Sequence, residues 1–367
     1  MKFAVIGAGP AGTYAARKLA EQGHDVRLFE DHLVCGSPVQ CTGILTHVGH
    51  KLIDFNKKFI DNKIDSTAIF APNGSFVSVD FKKPNIIVNR TKYDQYLLDK
   101  AEKAGARALL GHKYISSKKK NGKVSLITVR NVKTKKEKEY KVDYLIGADG
   151  PNSTVAKTND MFGKREFFMG AQATVKMKND NNILFYPYVK DLAWAVPEDE
   201  NTMRIGIASR DKAQQRFKDF LKRFKGKVIA YQGGPIPVYQ PNLKTQNDNV
   251  FLLGDAATQV KATTAGGIIQ AMTAADSLAA AVEKNPDSPR YEKFWKKRMG
   301  RDLWAHLMMR KALDRFNYDD WNKLIGQFSK DSLNNILAEE DRDQGMKIAM
   351  KCFARKPGLL LWVRKLL

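Results

Sequence analysis

Apolar and polar positions follow different patterns in successive parts of the chain. The opening stretch KFAVIGAGPAGTYAARKLAEQGHDVRLFE predicts strand, tight turn, helix and strand, because two short apolar runs flank an amphipathic segment. Residues 51–83 and 161–244 alternate apolar with polar positions and contain many aromatics, which is typical of antiparallel strands. From about residue 286 the apolar positions take helical spacing, which core packing explains.

The turn after the first strand carries three glycines in the order G-x-G-x-x-G. Gly7 permits the tight turn, Gly9 lets the backbone approach a pyrophosphate, and Gly12 lets the helix pack closely on the strand. The second strand ends in Glu30, where a carboxylate can bind a ribose hydroxyl. Strand, turn, helix, strand and acid in this register predict a Rossmann-type dinucleotide-binding unit; the alternative is a purely structural turn.

Two later strands also end beside an aspartate and a glycine. VDYLIGADGPNSTV contains Asp149 and Gly150, and NVFLLGDAATQV contains Gly254 and Asp255. Each aspartate could simply cap the end of its strand. The order of the three motifs, however, resembles the FAD-dependent hydroxylase and reductase superfamily, in which the second motif lies beside the dinucleotide groove and the last aspartate holds the ribitol or ribose of FAD. The resemblance implies FAD as the cofactor.

A glycine pair, Gly266 and Gly267, opens the helix that follows the third motif. A helix N-terminus carries partial positive charge, and reduced flavin is an anion around N1 and C2=O, so backbone N–H groups here can stabilise the reduced cofactor. Arg90 stands at the start of the amphipathic stretch NRTKYDQYLLDKAEKAGA, where the superfamily has an arginine that contacts the flavin. The alternative for Arg90 is a surface charge at a helix start.

Three stretches narrow the resemblance to the geranylgeranyl reductase family, which saturates isoprenoid chains, notably those of archaeal ether lipids. CGSPVQCTGIL is similar to that family's loop beside the flavin, GDAATQVKATTAGGI to its glycine motif, and LAWAVP to its substrate motif. The chain departs from the first two motifs at four positions: Gln40 for arginine, Thr42 for glycine, Ala262 for proline and Ala265 for the first of three glycines.

The resemblance implies that Cys41 lies near the isoalloxazine ring, where a thiol could steer the alkene or deliver a proton. The alternative is a small buried hydrophobe, which is the usual role of a free cysteine. Cys35 has no matching role and is expected to be structural. The chain has three cysteines, without a second Cys or His pair near the first two, which argues against a disulfide framework and against zinc or another metal.

The stretch LAWAVP is expected to line the lipid pocket. Trp194 and Pro197 match the family's motif, whereas Leu192 and Val196 replace its tyrosine and phenylalanine, so the pocket should differ in shape. The implied function is FAD-dependent reduction of C=C bonds in polyprenyl (geranylgeranyl) chains. The external electron donor is left open between NAD(P)H, ferredoxin and deazaflavin. A flavin monooxygenase or halogenase and a non-catalytic flavin-binding membrane protein are the alternatives.

These motifs predict an α/β fold, in which a Rossmann-type FAD-binding domain carries an inserted antiparallel-sheet substrate domain and is followed by a helical C-terminal region. The expected ranges are 1–50, 84–160 and 245–285 for the FAD-binding domain, 51–83 and 161–244 for the substrate domain, and 286–367 for the helical region.

The chain is strongly basic, with 62 Lys and Arg against 39 Asp and Glu and a formal net charge of +23. The basic residues lie in dispersed loops without a recognised nucleic-acid-binding motif, so no nucleic-acid partner is expected. An anionic membrane surface would attract the same charge. No window approaches the roughly 18 unbroken apolar residues of a spanning helix, and we expect a cytoplasmic protein, peripheral to the inner face of the cell membrane.

The C-terminal segment 358–367 has the pattern of an interfacial helix. At about 100° per residue, six apolar side chains share one arc and Arg364 and Lys365 fall on the other side; the six are Leu359, Leu360, Trp362, Val363, Leu366 and Leu367. We predict that this segment contacts anionic lipid. The alternative is that it docks on the protein's own helical region.

Overall fold

The computed structural model describes residues 1–47, 49, 52–189, 191–329 and 331–359. Within these ranges it contains seventeen strands and ten α-helices. The strands are β1 Lys2–Ile6, β2 Asp25–Glu30, β3 Ile44–Leu45, β4 Ile60–Phe70, β5 Phe76–Val88, β6 Arg107–Leu110, β7 His112–Lys120, β8 Lys123–Asn131, β9 Glu137–Lys141, β10 Tyr144–Gly147, β11 Phe167–Lys176, β12 Ile183–Tyr186, β13 Leu192–Asp199, β14 Thr202–Ser209, β15 Lys227–Pro237, β16 Gln246–Asn247 and β17 Val250–Leu252. The helices are α1 Pro10–Glu21, α2 Arg90–Lys103, α3 Thr154–Thr158, α4 Ala213–Leu221, α5 Ile268–Lys284, α6 Tyr291–Trp295, α7 Arg301–Leu313, α8 Tyr318–Phe328, α9 Asp331–Glu339 and α10 Gly345–Arg355.

The first sheet has six strands in the order β16-β17-β10-β1-β2-β6, and all neighbours except β16 and β17 run parallel. Its central strands are short apolar runs that are buried on both faces, as parallel strands covered by helices require. Helices α1, α2 and α5 pack together beside it. This is the predicted Rossmann-type unit.

The second sheet has eight strands in the order β15-β11-β14-β13-β12-β4-β5-β3, and only the β12–β4 pair among them is parallel. It gathers the alternating stretches of the predicted substrate region. A smaller antiparallel sheet, β7-β8-β9, contributes a separate apolar cluster against the first sheet. The alternation of apolar and polar residues did not predict this third sheet.

The chain is helical from α6 onward, and a π-helical turn, Lys296–Gly300, joins α6 to α7. Helix α9 packs on β5 and α10 on α7, so this region closes one side of the second sheet. Helix α10 ends at Arg355, and Pro357–Leu359 forms a 3-10 turn. Residues 360–367, which carry most of the predicted interfacial helix, lie outside the described residues.

The predicted fold class is confirmed: a parallel Rossmann-type sheet, an additional antiparallel sheet and a helical C-terminal region. The strands of the first sheet all fall within 1–50, 84–160 and 245–285, but the domain boundaries themselves stay a prediction. In the part of the chain that the structure describes, no helix combines the length and the apolar character needed to cross a bilayer.

Candidate active site

A cavity of about 620 Å³ lies between the two large sheets. The carboxyl ends of β1, β2, β10 and β17 form one side, which is where ligands bind in open parallel sheets. Strands β11, β13 and β15 form the facing side, and the turn between α9 and α10 contributes a third wall. All predicted site residues line this cavity except Gly12, Val196 and Pro197.

The three glycines of the first motif differ in their surroundings. Gly7 has φ +99°, and a methyl group on it would come 2.3 Å from the carbonyl oxygen of Ala148. A methyl group on Gly12 would come 1.9 Å from the Gly7 oxygen, so close packing of α1 on the turn requires this glycine. A methyl group on Gly9 would meet no atom within 4 Å. Gly9 therefore faces open space at the N-terminus of α1, where an anion fits.

Glu30 lies at the end of β2 with its carboxylate beside this turn. Its Oε2 accepts a hydrogen bond from the backbone N–H of Ala8 at 2.7 Å, and its Oε1 accepts one from the His32 backbone at 3.0 Å. The His32 ring nitrogen Nδ1 lies 2.6 Å from the same Oε1. Glu30 is thus fixed at the edge of the cavity, within reach of a sugar bound over the turn.

Asp149 uses its carboxylate inside the protein. Its Oδ1 accepts a hydrogen bond from Ser153 Oγ at 2.6 Å, and its Oδ2 accepts one from the Val155 backbone at 3.0 Å. These bonds cap the start of α3, which is close to the alternative role that the sequence allowed. Burial raises the pKa of Asp149. The adjacent Gly150 has φ +75° and lines the cavity.

Asp255 is different, because no other described residue donates a hydrogen bond to its carboxylate. Burial raises its pKa to about 6, although the Arg90 cation opposes that rise. A methyl group on Gly267 would come within 3.4 Å of Asp255 Oδ1, so the carboxylate lies beside the start of α5. A carboxylate that is partly withdrawn from water and lacks a donor is costly, and a ligand hydroxyl group would satisfy it.

The N-terminus of α5 is open toward the cavity. Gly267 is its N-cap residue, and no side chain caps the helix. The loop before it is closed by two backbone hydrogen bonds, from Lys261 N to Gly266 O and from Ala265 N to Lys261 O. Ala265 has φ +54°, a conformation that glycine adopts more easily. The uncapped N–H groups give this wall partial positive charge.

Cys41 lies on the wall formed by the loop before β3, next to a buried ion pair. Arg90 donates to Asp94 through Nε (3.1 Å) and NH2 (2.8 Å). Burial lowers the pKa of Arg90, but Asp94 and Cys41 raise it by more, so the net pKa lies above its ordinary value. The Cys41 sulfur accepts a hydrogen bond from Gly43 N at 3.4 Å and is partly exposed. A free thiol therefore faces the cavity beside a cation.

Cys35 lies behind the cavity wall. It is buried, its thiol donates to the Ala8 carbonyl at 3.2 Å, and burial raises its pKa to about 12. Cys35, Cys41 and Cys352 are all free thiols, so Cys35 and Cys41 do not form a disulfide.

Strand β13 gives the cavity its apolar wall. Leu192 and Trp194 line it, whereas Val196 lies on the same face but packs in the core, and Pro197 is buried outside the lining. Trp194 Nε1 donates to Gln172 Oε1 at 3.0 Å, which fixes the indole. The structure therefore brings only two of the four predicted substrate residues to the cavity.

Several polar lining residues were not predicted. Lys261 and Asp343 form a buried ion pair, and Arg342 lines the cavity beside them. Lys261 stands inside the glycine motif, so its place in the sequence could have predicted that it lies in the site. Arg342 and Asp343 lie in the region assigned to packing, about 80 residues further on, and nothing local in the sequence points to them.

Comparisons with known proteins agree with this geometry. The sequence profile of the pyridine nucleotide-disulphide oxidoreductase family matches residues 1–182. A digeranylgeranylglycerophospholipid reductase from Methanothrix thermoacetophila is 28% identical over 98% of this chain and 97% of its own. The predicted resemblance to the geranylgeranyl reductase family is confirmed. This similarity indicates a flavin cofactor for the chain.

Solved structures show the same fold. A geranylgeranyl bacteriochlorophyll reductase-like protein from Thermoplasma acidophilum superposes with a TM-score of 0.84 at 22% identity, over 100% of this chain and 99% of that protein. A flavin-dependent halogenase has a TM-score of 0.71 at 15% identity, over 98% of this chain and 78% of its own. The geranylgeranyl reductase-like fold is thus shared with halogenases, and fold alone does not distinguish the two activities.

Proposed function

We propose that the protein is an FAD-dependent reductase that saturates C=C bonds in polyprenyl chains of membrane lipids. One observation carries the proposal: a single cavity extends from the open glycine turn at Gly9 to the apolar wall at Trp194 and Leu192. A dinucleotide and an apolar chain can therefore meet in it. The named activity of the full-length relatives supports the same substrate class.

The residues present fit FAD. The pyrophosphate would lie over Gly9 at the N-terminus of α1, and Glu30 and Asp255 offer carboxylates to sugar hydroxyls. Gly266 and Gly267 would place the open N-terminus of α5 against the N1 and C2=O edge of the ring. Asp149 acts mainly through its cap on α3, which shapes the groove wall.

The reaction adds a hydride to one alkene carbon and a proton to the other, and reduced FAD supplies the hydride when bound. Trp194 and Leu192 exclude water and hold the apolar chain, while the indole stays fixed by its bond to Gln172. Cys41 is the thiol on this wall, where it can deliver the proton to the alkene, and Arg90 lies beside it in the same cavity lining. An external donor, NAD(P)H, ferredoxin or a deazaflavin, would supply the two electrons for the next turnover, and solvent would supply the proton that accompanies them.

The lipid substrate implies work at a membrane surface. A formal charge of +23 favours binding to anionic lipid. We therefore propose that the enzyme is located on the inner face of the cell membrane. Leu359 is a correction to the predicted lipid-facing arc, because it is buried against Leu333 and Cys352 of the helical region. Residues 360–367 are the proposed contact, and their deletion should weaken sedimentation with anionic vesicles while FAD stays bound.

The test is anaerobic turnover. FAD-loaded protein, reduced chemically, is incubated with a geranylgeranyl phospholipid, and the lipid is analysed by mass spectrometry. We expect a gain of two hydrogen atoms per reduced double bond. Lipid of unchanged mass, together with oxygen-dependent hydroxylation or halogenation of an aromatic compound in air, would replace the proposal with the monooxygenase or halogenase alternative. Bound FAD without turnover of either kind would favour the non-catalytic alternative.

The role of Cys41 is tested in the same assay. Cys41→Ala should retain FAD and lose most of its turnover. Cys352→Ala is the matched control, because Cys352 is a free cysteine that does not line the cavity. Equal turnover of the two variants would show that Cys41 only fills space.

A further inference from the structure

Lys261 and Asp343 form a charged pair that is almost fully enclosed. Lys261 is 4% exposed and Asp343 is 8% exposed, and the ammonium contacts Asp343 Oδ1. Gln270 Nε2 donates to the same oxygen at 2.8 Å, and Thr46 donates to Oδ2. Burying such a pair rarely adds stability compared with apolar residues of the same size. Stability therefore does not explain the pair, and its position in the cavity indicates a functional role.

The pair lines the cavity beside the loop that leads into α5. Lys261 N and O both bond within the loop that carries Ala265 and Gly266. A methyl group on Gly266 would come 3.4 Å from Lys261 Nζ, so the ammonium lies immediately beneath that glycine. Gln270, in the first turn of α5, ties Asp343 to the same helix end. Both charges thus adjoin a wall that combines an uncapped helix start with two glycines.

The Lys261 ammonium and the Asp343 carboxylate contact each other directly as an ion pair. Burial alone would raise the pKa of Asp343, but the Lys261 ammonium and the Gln270 and Thr46 donors hold it below its ordinary value. Burial lowers the pKa of Lys261, and Asp343 opposes that change. A charge in an enclosed site acts on its surroundings with little screening by water.

We propose that Lys261 and Asp343 set the reduction potential of the bound flavin, with Lys261 favouring the reduced form and Asp343 opposing it. The inference rests on the proposed binding of FAD. Two electrons from the reductant and one proton from solvent convert the neutral oxidised ring into the reduced anion, and no other group is consumed. A cation behind the N1 and C2=O edge stabilises that anion, and an anion at nearly the same place destabilises it. Both residues act on the reduction potential through their charge, and neither needs to contact the substrate.

The experiment measures the midpoint potential of FAD-loaded protein by anaerobic titration with dithionite and a reference dye. For Lys261→Gln we expect about a tenfold loss of preference for reduced over oxidised flavin, which is about 30 mV more negative for a two-electron couple. For Asp343→Asn we expect a shift of similar size to more positive potential. The affinity of the oxidised flavin for sulfite should change in the same directions, because its N5 adduct is also anionic.

Thr46→Val is the matched control. It removes one hydrogen bond to Asp343 but leaves both charges in place. The equilibrium ratio of reduced to oxidised flavin should therefore change by less than about threefold. The double variant Lys261→Gln with Asp343→Asn keeps two polar side chains in contact and should return close to the unsubstituted protein. If Lys261→Gln fails to fold with an unpaired buried charge, Asp343→Asn still decides the question, because a potential that does not become more positive overturns the inference.

The outcomes separate this inference from the proposed function. A purely structural pair would shift the potential in one direction for both single variants, or not at all, and either result overturns the inference. If the unsubstituted protein takes up no FAD, the proposed function fails as well. If it binds FAD and reduces a polyprenyl lipid while the potentials stay unchanged, only the role of the ion pair is wrong.

Discussion

Replacing Asp255 with asparagine should make the protein without FAD more stable. The carboxylate is partly buried beside the cavity without a donor among the described residues, and its pKa rises from 3.8 to about 6. An unfolded chain binds its Asp255 proton only below about pH 4, so between about pH 4 and 6 the folded state holds more protons. Stability therefore falls as the pH rises through this window. A difference of about two pH units, at about 1.36 kcal/mol each, gives a penalty of about 3 kcal/mol at neutral pH.

Urea unfolding of the FAD-free proteins at about pH 4 and about pH 7.5 checks this value. Asp255→Asn should gain up to about 3 kcal/mol at the higher pH and nothing at the lower one. The same substitution should weaken FAD binding by about 1.5–3 kcal/mol, because a hydrogen bond to a charged group is lost. A variant that is no more stable than the unsubstituted protein at neutral pH, or equally stabilised at both pH values, would refute the reasoning.

Three further substitutions test local geometry. Ala265→Gly should raise the free energy of unfolding by up to about 1 kcal/mol, because alanine at φ +54° is strained; lower stability in urea titrations would contradict this. Gly206→Ala should cost about 1–3 kcal/mol and change tryptophan fluorescence, because its methyl group would come 2.6 Å from the Trp194 ring; an unchanged spectrum and stability would contradict it. Arg342→Gln should raise KM for a prenyl phospholipid about tenfold but not for the corresponding alcohol, since this cavity cation has no ion pair with a described residue and can bind the phosphate. Equal effects on both substrates would show that Arg342 does not bind the headgroup.

The sequence predicted best where one short segment contains both the structural signal and the functional one. The first glycine motif has its strand, turn and helix in contiguous residues, so each glycine could be given a steric reason before the structure was known. The same holds for α5 and its open start. In these stretches local conformation and function impose the same residue types.

Prediction failed where the function of a side chain depends on a distant partner. Asp149 and Asp255 stand in similar motifs, yet Asp149 accepts hydrogen bonds at the start of the following helix, whereas Asp255 has no donor among the described residues. Pro197 belongs to the same short motif as Trp194, but the alternation of β13 turns it away from the cavity. Asp343 meets Lys261 only because the helical region folds back over α5. None of these relations is contained in a local pattern.

The third wall of the cavity also fixes when the site can form during synthesis. The glycine turn leaves the ribosome early, yet its strand β1 pairs with β10, more than a hundred residues later. The turn that carries Asp343 emerges some two hundred residues after that. Because domains assemble as their segments become available, the first sheet can fold while the cavity still lacks one side. A nascent chain in that state exposes the apolar face of β13 and the carboxylate of Asp255 to water. We therefore expect the cofactor to bind only after the turn between α9 and α10 has been synthesised. Cofactor binding is then a late and separate step in maturation.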